Sequence, residues 1–480
     1  MSTSKSQGRK QQVAFALMLA GLAFGGVLTA AAKTRASVTF LKPRLAKKTN
    51  RLYNNDCFWG GPRGMDYALL PDPQPIQIPN LYPDVGSTYF VAQFYLPDGA
   101  SLTIHQDAPH ERYFSFTVAS NLPGGGLGNG DFLRDEFIVP DEGSVNPAQP
   151  DQPRNAKNRS YTIQVVAGSP PTPRPDNTVY TGITDPNELV HLSMRNYIPD
   201  RGKDGTGGVG LPEVTLTLAD GTSLTGQAMC DALQTTKEQT ANATFPIPLW
   251  ESLVAASPDP ANEPSMNPVH WERFWNAQYS IAGLFIADQA LRAATYPPTE
   301  AGGLAANPDT RYLFTGTSMN FGEVLVVTGK KPITPATYHR AKTWPTTPWQ
   351  IRYWSICTAS APTSGIGYDC AWDEVVPVDA NGYYHIVISK PENKPRNAKK
   401  KCGNYWMNFG QGENYSSPDD AARPNVGVAY MRFMAADPDW EQAPQKVTVP
   451  NTEEAIMGEY FPQSQYMSKA EFEALGCTRP

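Results

Sequence analysis

Apolar and polar residues alternate with a period of two over many short stretches of this chain, and Gly, Pro, Asn and Asp punctuate them. That pattern predicts half-buried β-strands joined by turns. TYFVAQFYLP (88–97) ends at the turn signal Pro97-Asp98-Gly99, and SLTIHQ (101–106) is expected as its hairpin partner. Further strands are expected at 112–120, 136–140, 160–168, 178–182, 189–199 and 213–221. The period then changes. Residues 226–241, 246–256 and 270–294 read as helical, the last with Trp271, Phe274, Trp275, Tyr279 and Leu284 at near-helical spacing. Such a stripe fits a packed core before it fits an aromatic ligand box. Strand patterns return at 311–316, 322–329, 349–360, 373–378, 383–389 and 426–436. Two short helices close the chain, one after Asn451-Thr452 and one opened by the capping box Ser468-Lys-Ala-Glu471.

The two β stretches repeat each other. RYFSFTVAS (112–120) lies over RYWSICTAS (352–360), DEFIV (135–139) over DEVVP (373–377), SYTIQVV (160–166) over YYHIVIS (383–389), and LSMRNYIPD (192–200) over AYMRFMAAD (429–437). Four blocks in one order indicate a duplicated β unit. The expected fold is mainly β: two related antiparallel β-sandwich, jelly-roll-like units with a helical connector and short C-terminal helices. The segments are 1–32 (signal peptide or membrane anchor), 33–80 (linker and lead-in), 81–225 (first β domain), 226–300 (connector), 301–445 (second β domain) and 446–480 (helical tail). Arg112 and Arg352 are equivalent, as are Arg195 and Arg432. A repeated arginine suits a structural bond to a carboxylate such as Asp135 or Asp373.

Composition sharpens this picture at three points. The chain has 45 Pro and 39 Gly, which suits a turn-rich β protein. Its net charge of −6 provides no basic face for nucleic acid, and Lys399-Lys400-Lys401, the dense basic cluster of the body, reads as a solvated loop. At the N-terminus, Lys5, Arg9 and Lys10 precede an uncharged apolar run, 13–32, that ends in Ala30-Ala31-Ala32. This is the layout of a signal peptide, and the run is also long enough for an uncleaved anchor. The location expected is therefore extracytoplasmic, with the membrane touched only through that segment. Six cysteines in an exported chain imply disulfides, with Cys357 and Cys370 the pair that flank one loop and the others unassigned. Asn158, Asn242 and Asn414 open glycosylation triplets.

Trp354-Ser355, Asn381-Gly382, Asn404-Tyr405-Trp406 and Arg432 before Asp437-Pro438 together resemble a widespread bacterial exported β-domain family of unknown function. The match spans about a third of the chain, and one tyrosine is inserted in the Asn-Trp step. The resemblance implies a β fold and an envelope location, and it transfers no activity.

Candidate chemistry is sparse. His105, His110 and Glu111 cluster across a turn and are the candidate ligands of a divalent metal such as zinc, iron or manganese; no other cofactor is expected. His110 and Glu111 point to opposite faces if they lie in regular strand. No G-x-S-x-G elbow occurs, and GKDGTGGVG (202–210) is not a phosphate loop because a strand follows it. Asp131, Asp135, Glu136, Asp141 and Glu142 are candidate paired carboxylates, and Trp59, Trp344, Trp349 and Trp372 candidate sugar platforms. The expectation is a protein that binds a small molecule, a glycan or an envelope protein. The alternative is an extracytoplasmic enzyme, metal-dependent or hydrolytic, with its site near the 99–111 hairpin.

Overall fold

In the computed structural model the described residues are 57–63, 82, 84, 86–121, 127–235, 266–284, 286, 288–300, 307–346, 348–360, 367–412 and 424–477. The apolar stretch 13–32, the helix expected at 246–256 and the triplets at Asn242 and Asn414 lie outside them.

The first unit comprises β1 (Gly60–Arg63), β2 (Ser87–Phe94), β3 (Ser101–Asp107), β4 (Glu111–Asn121), β5 (Leu127–Arg134), β6 (Ser160–Val166), β7 (Thr178–Tyr180), β8 (Val190–Pro199), β9 (Glu213–Thr217), β10 (Ser223–Thr225) and helix α1 (Gly226–Ala232). The second contains β11 (Glu272–Arg273), helices α2 (Ala277–Ala282) and α3 (Gln289–Thr295), β12 (Thr310–Ser318), β13 (Val324–Lys330), β14 (Ile351–Ser360), β15 (Gly367–Trp372), β16 (Tyr383–Ser389), β17 (Asn404–Asn408) and β18 (Val426–Ala436). Helix α4 (Glu453–Met457), β19 (Gln463–Met467) and helix α5 (Lys469–Ala474) follow.

The sheet orders are β1-β2-β8-β4-β5 and β10-β9-β3-β6-β7 in the first unit, and β11-β12-β18-β14-β15 and β17-β16-β13-β19 in the second. Read element by element, each order maps onto the other, except that β10 has no partner. Even the one parallel pairing recurs, β6 with β7 and β16 with β17. The four sequence blocks fall on β4/β14, the turn after β5/β15, β6/β16 and β8/β18, so the chain is a duplicated β-sandwich.

Alternation explains each core. In β6 every second residue is buried, and Ile163 and Val165 meet Phe116, Leu192 and Met194 of the facing sheet. The second core repeats this with Trp354, Ile356, Met431 and Phe433 against Leu325, Ile386 and Ile388. At ~25 cal/mol per Å² of apolar area, these two interiors supply the main drive to fold.

Several expectations are corrected. β2 and β3 are not hairpin partners: Gly99, at φ +68°, turns the chain from one sheet into the other. Residues 135–137 form a 3-10 turn and 373–376 a turn rather than strands, because Asp135 and Asp373 accept hydrogen bonds from the backbone N–H of Phe114 and Trp354. The start of the helix expected at 270–294 is extended, with Glu272 and Arg273 paired to β12. Asn276 accepts from the Tyr279 N–H and starts α2 only there. The helical tail from 446 contains β19, which pairs with β13 and completes the second sandwich. The Ser468 capping box is formed.

Three disulfides join Cys57 to Cys230, Cys357 to Cys370 and Cys402 to Cys477. Cys357 and Cys370 stand directly opposite each other on β14 and β15.

Candidate functional site

The predicted metal ligands are placed apart. His105 points outward from β3, with 51% of its side chain exposed, and lies 3.3 Å from Asp141. His110 takes a 2.8 Å hydrogen bond from Arg159, and burial together with that guanidinium holds its pKa down at about 4. Glu111 is buried at the start of β4, and neither carboxylate oxygen has a hydrogen-bond partner. Burial, then Asp135 and Asp200, push its pKa well up. Among the described residues, the one group of three His, Cys, Asp or Glu donor atoms within 4.8 Å is Asp84 with Cys357 and Cys370, and those cysteines are a disulfide, which offers no thiolate to a metal. His105, His110 and Glu111 form no such group, since strand alternation and the separation of the two sheets divide them.

Other candidates are absorbed by structure. The glycine loop is ordered by Asp204, which accepts from the N–H groups of Thr206 (3.0 Å) and Gly208 (3.1 Å). Asp131 pairs bidentately with Arg174, at 2.7 and 2.8 Å. Trp59 and Trp344 are buried, each donating to a backbone carbonyl, of Pro212 and Pro147 respectively.

The repeated arginines clasp the two units together. Arg112 donates to Asp373 (2.6 Å) and Glu374 of the second unit. Arg352 donates to Asp135 (2.9 Å) and Glu136 (3.1 Å) of the first. The Arg352 guanidinium also reaches the Arg112 carbonyl at 2.7 Å. Tyr113 donates to Asp309 (2.6 Å), and Tyr353 to Asp84 (2.6 Å), in the same exchanged sense. Burial raises the pKa of Asp135 to about 6 even beside Arg352. This junction is polar and aromatic, and its ion pairs are reciprocal, although Asp373 Oδ1, Asp309 Oδ1 and Arg352 Nε are buried without a hydrogen-bond partner among the described residues.

A cleft lies between β11, α2 and β12. His270, Glu272, Arg273 and Ser280 form its polar side, and Leu284, Phe314 and Gly316 its apolar side. Glu272 accepts two hydrogen bonds from Arg292, at 2.9 and 2.6 Å, and lies 3.2 Å from His270 Nε2. The hydrogen bond to Glu272 raises the His270 pKa. Arg273 donates to both oxygens of Glu300 at 2.6 Å and lies 4.0 Å from the Trp275 ring centroid. Ser280 Oγ accepts from the Trp275 N–H at 3.2 Å. A Cβ at Gly283 would stand 1.9 Å from Arg292 Nη1, so glycine is what lets the guanidinium reach Glu272. The sequence held a signal for this site. Read with period two, His270 and Glu272 share one face of an extended segment, but the aromatic spacing pointed to a helix and hid it.

No family model matches the chain, and no curated protein matches it. Solved structures similar to it include a putative uncharacterized protein from Burkholderia cenocepacia, with TM-score 0.41 and 12% identity over 88% of this chain and 85% of that one. Another is the VPA0106 protein from Vibrio parahaemolyticus, with TM-score 0.34 and 11% identity over 80% of this chain and 90% of that one. The three disulfides indicate an oxidising, extracytoplasmic environment. Among the described residues no helix is long and apolar enough to cross a membrane.

Proposed function

We propose that the protein is an extracytoplasmic binding protein of the envelope, and that the cleft between β11, α2 and β12, whose free volume of about 20 Å³ admits one or two water-sized groups, takes the tip of a ligand that carries an apolar group and a hydrogen-bonding head. The observation that carries this reading is the state of the cleft's charged groups. Glu272 is engaged by Arg292 and His270, and Arg273 by Glu300. Glu272, held ionised between Arg292 and His270, is suited to orienting the imidazole rather than to taking a proton itself. Groups already committed to ion pairs suit holding and orienting a ligand. Leu284 and Phe314 offer the apolar contact, and the half-exposed His270 offers a donor at the mouth.

The test is native mass spectrometry of the protein recovered from its own host envelope, beside a Leu284→Trp variant that fills the cleft. An organic adduct on the wild type that is missing from the variant supports the reading. Turnover of a substrate, abolished by His270→Ala, would replace it with the enzyme reading.

A further inference from the structure

We propose that the loop between β16 and β17, with the end of α5, forms a docking surface for a membrane rich in anionic phospholipid. Residues 390–401 read KPENKPRNAKKK, with six cations against one carboxylate in a chain whose net charge is −6. The loop is pinned so that its small and apolar members face in and its cations face out. Pro395, Asn397 and Ala398 are buried, and Ala398 packs with Phe472 of α5. Asn397 donates to the carbonyls of Phe472 (3.0 Å) and Gly476 (2.7 Å), and the Cys402–Cys477 disulfide closes the same corner. Lys394, Arg396, Lys399, Lys400 and Lys401 are exposed in consequence. Arg396 is held by Glu473 at 3.3 Å, whereas no carboxylate among the described residues lies within 4.0 Å of the lysines at 399–401.

Two further features distinguish this surface from a merely solvated charge run. Leu475, at the end of α5, is 68% exposed, the largest value among the large hydrophobic residues that face solvent in the described chain. It sits between Phe472 and Gly476, whose carbonyls Asn397 binds, and so beside the cations. Half-buried aromatics lie beside the lysines on the two faces of β17: Lys394 Nζ is 3.9 Å from the centroid of Trp406, which packs with Ala398 and Phe472, and Lys400 Nζ is 5.1 Å from that of Tyr405, which packs toward the sandwich core. An exposed leucine, a Trp ring beside a lysine and a cluster of lysines are components of a surface that settles at the headgroup level of a bilayer. β17, which carries both rings, is an edge strand, so nothing in its sheet covers that side.

The test is flotation of the full chain with phosphatidylcholine vesicles and with vesicles that also contain phosphatidylglycerol. Binding to the zwitterionic vesicles is the baseline, and it includes whatever the apolar stretch 13–32 contributes. Anionic lipid is expected to raise binding above that baseline, and high salt to remove the increment. Each lysine at 399–401 replaced by alanine should lower the increment about five-fold. Charge reversal at all three should abolish it, and Lys400→Arg should retain it. Leu475→Ser should lower it with charge intact. An unchanged melting temperature in each variant shows that the fold is kept. An equal increment in the wild type and the charge-reversed variant would overturn the proposal, as would its loss on adding inorganic phosphate at constant ionic strength.

Discussion

The two β units share a strand order yet differ in how they meet the rest of the molecule. In the first unit β3 passes to β4 through three residues, 108–110. In the second, β13 passes to β14 through residues 331–350, and this longer segment straps the first unit. Trp344 donates to Pro147, Arg154 takes up the Ala341 carbonyl at 2.6 Å, and the Arg201 N–H bonds Tyr338 at 2.7 Å. The junction itself is nearly symmetric, whereas the strap and the lysine-rich β16–β17 loop differ in length or charge from the equivalent connections of the first unit, 108–110 and 167–177. Residues retained in both copies build the clasp, and features present in one copy are free to serve function.

The strongest way to break this comparison is to remove one arm of the clasp. Arg112→Ala removes the guanidinium paired with Asp373 and Glu374, and Arg352→Ala removes the one paired with Asp135, while Glu136 keeps Arg134. Each should cost about 3–5 kcal/mol in chemical denaturation, because an uncompensated carboxylate remains buried. Near-equal costs support functional equivalence, and a small cost for either arm would show that the pairs are not both needed.

Trp344→Ala tests the strap and should cost about 3 kcal/mol. The Arg352 guanidinium carbon lies 4.6 Å from the Trp344 ring centroid, while Arg112 faces Trp372 at 6.0 Å. A double-mutant cycle should therefore give coupling of about 0.5–3 kcal/mol for Trp344 with Arg352 and much less for Trp344 with Arg112. Equal couplings would erase the distinction between the two sides.

The smallest effect concerns Glu111. Its folded pKa is raised above the ordinary 4.5, so its contribution to stability is fully present below that value and is lost as pH rises. Glu111→Gln has no such proton to lose. The melting-temperature difference between the variant and the wild type should move in the variant's favour from pH 4 to pH 8. His110, held down at about 4, works in the opposite direction in both proteins and cancels from the difference. A flat difference would show that the carboxyl finds solvent or a partner.

Much of this was legible before any coordinates. Alternation in SYTIQVV and YYHIVIS marked β6 and β16, the ordered blocks revealed the duplication, and the Cys357–Cys370 pair followed from the loop it flanks. Local physics sufficed in these cases, because strand periodicity and a short disulfide loop are properties of neighbouring residues. Asp135 and Asp373 were named as carboxylates for the repeated arginines, but their exchange between units was invisible, since nothing local says whether Arg112 reaches its own copy or the other.

The His105, His110 and Glu111 grouping failed for a related reason. Closeness along the chain puts three donors on one list, while the sandwich sends β3 and β4 into different sheets and gives the histidines other partners. The cleft at His270 and Glu272 was missed because aromatic spacing satisfied a helical period that Asn276 interrupts. The β class, the repeat and the residues that alternate into each core follow from side-chain period and turn chemistry, which neighbouring residues set. Which sheet each strand joins, which charges meet between the two units and where a cleft remains are visible only in the folded chain, because those contacts join residues far apart in the sequence.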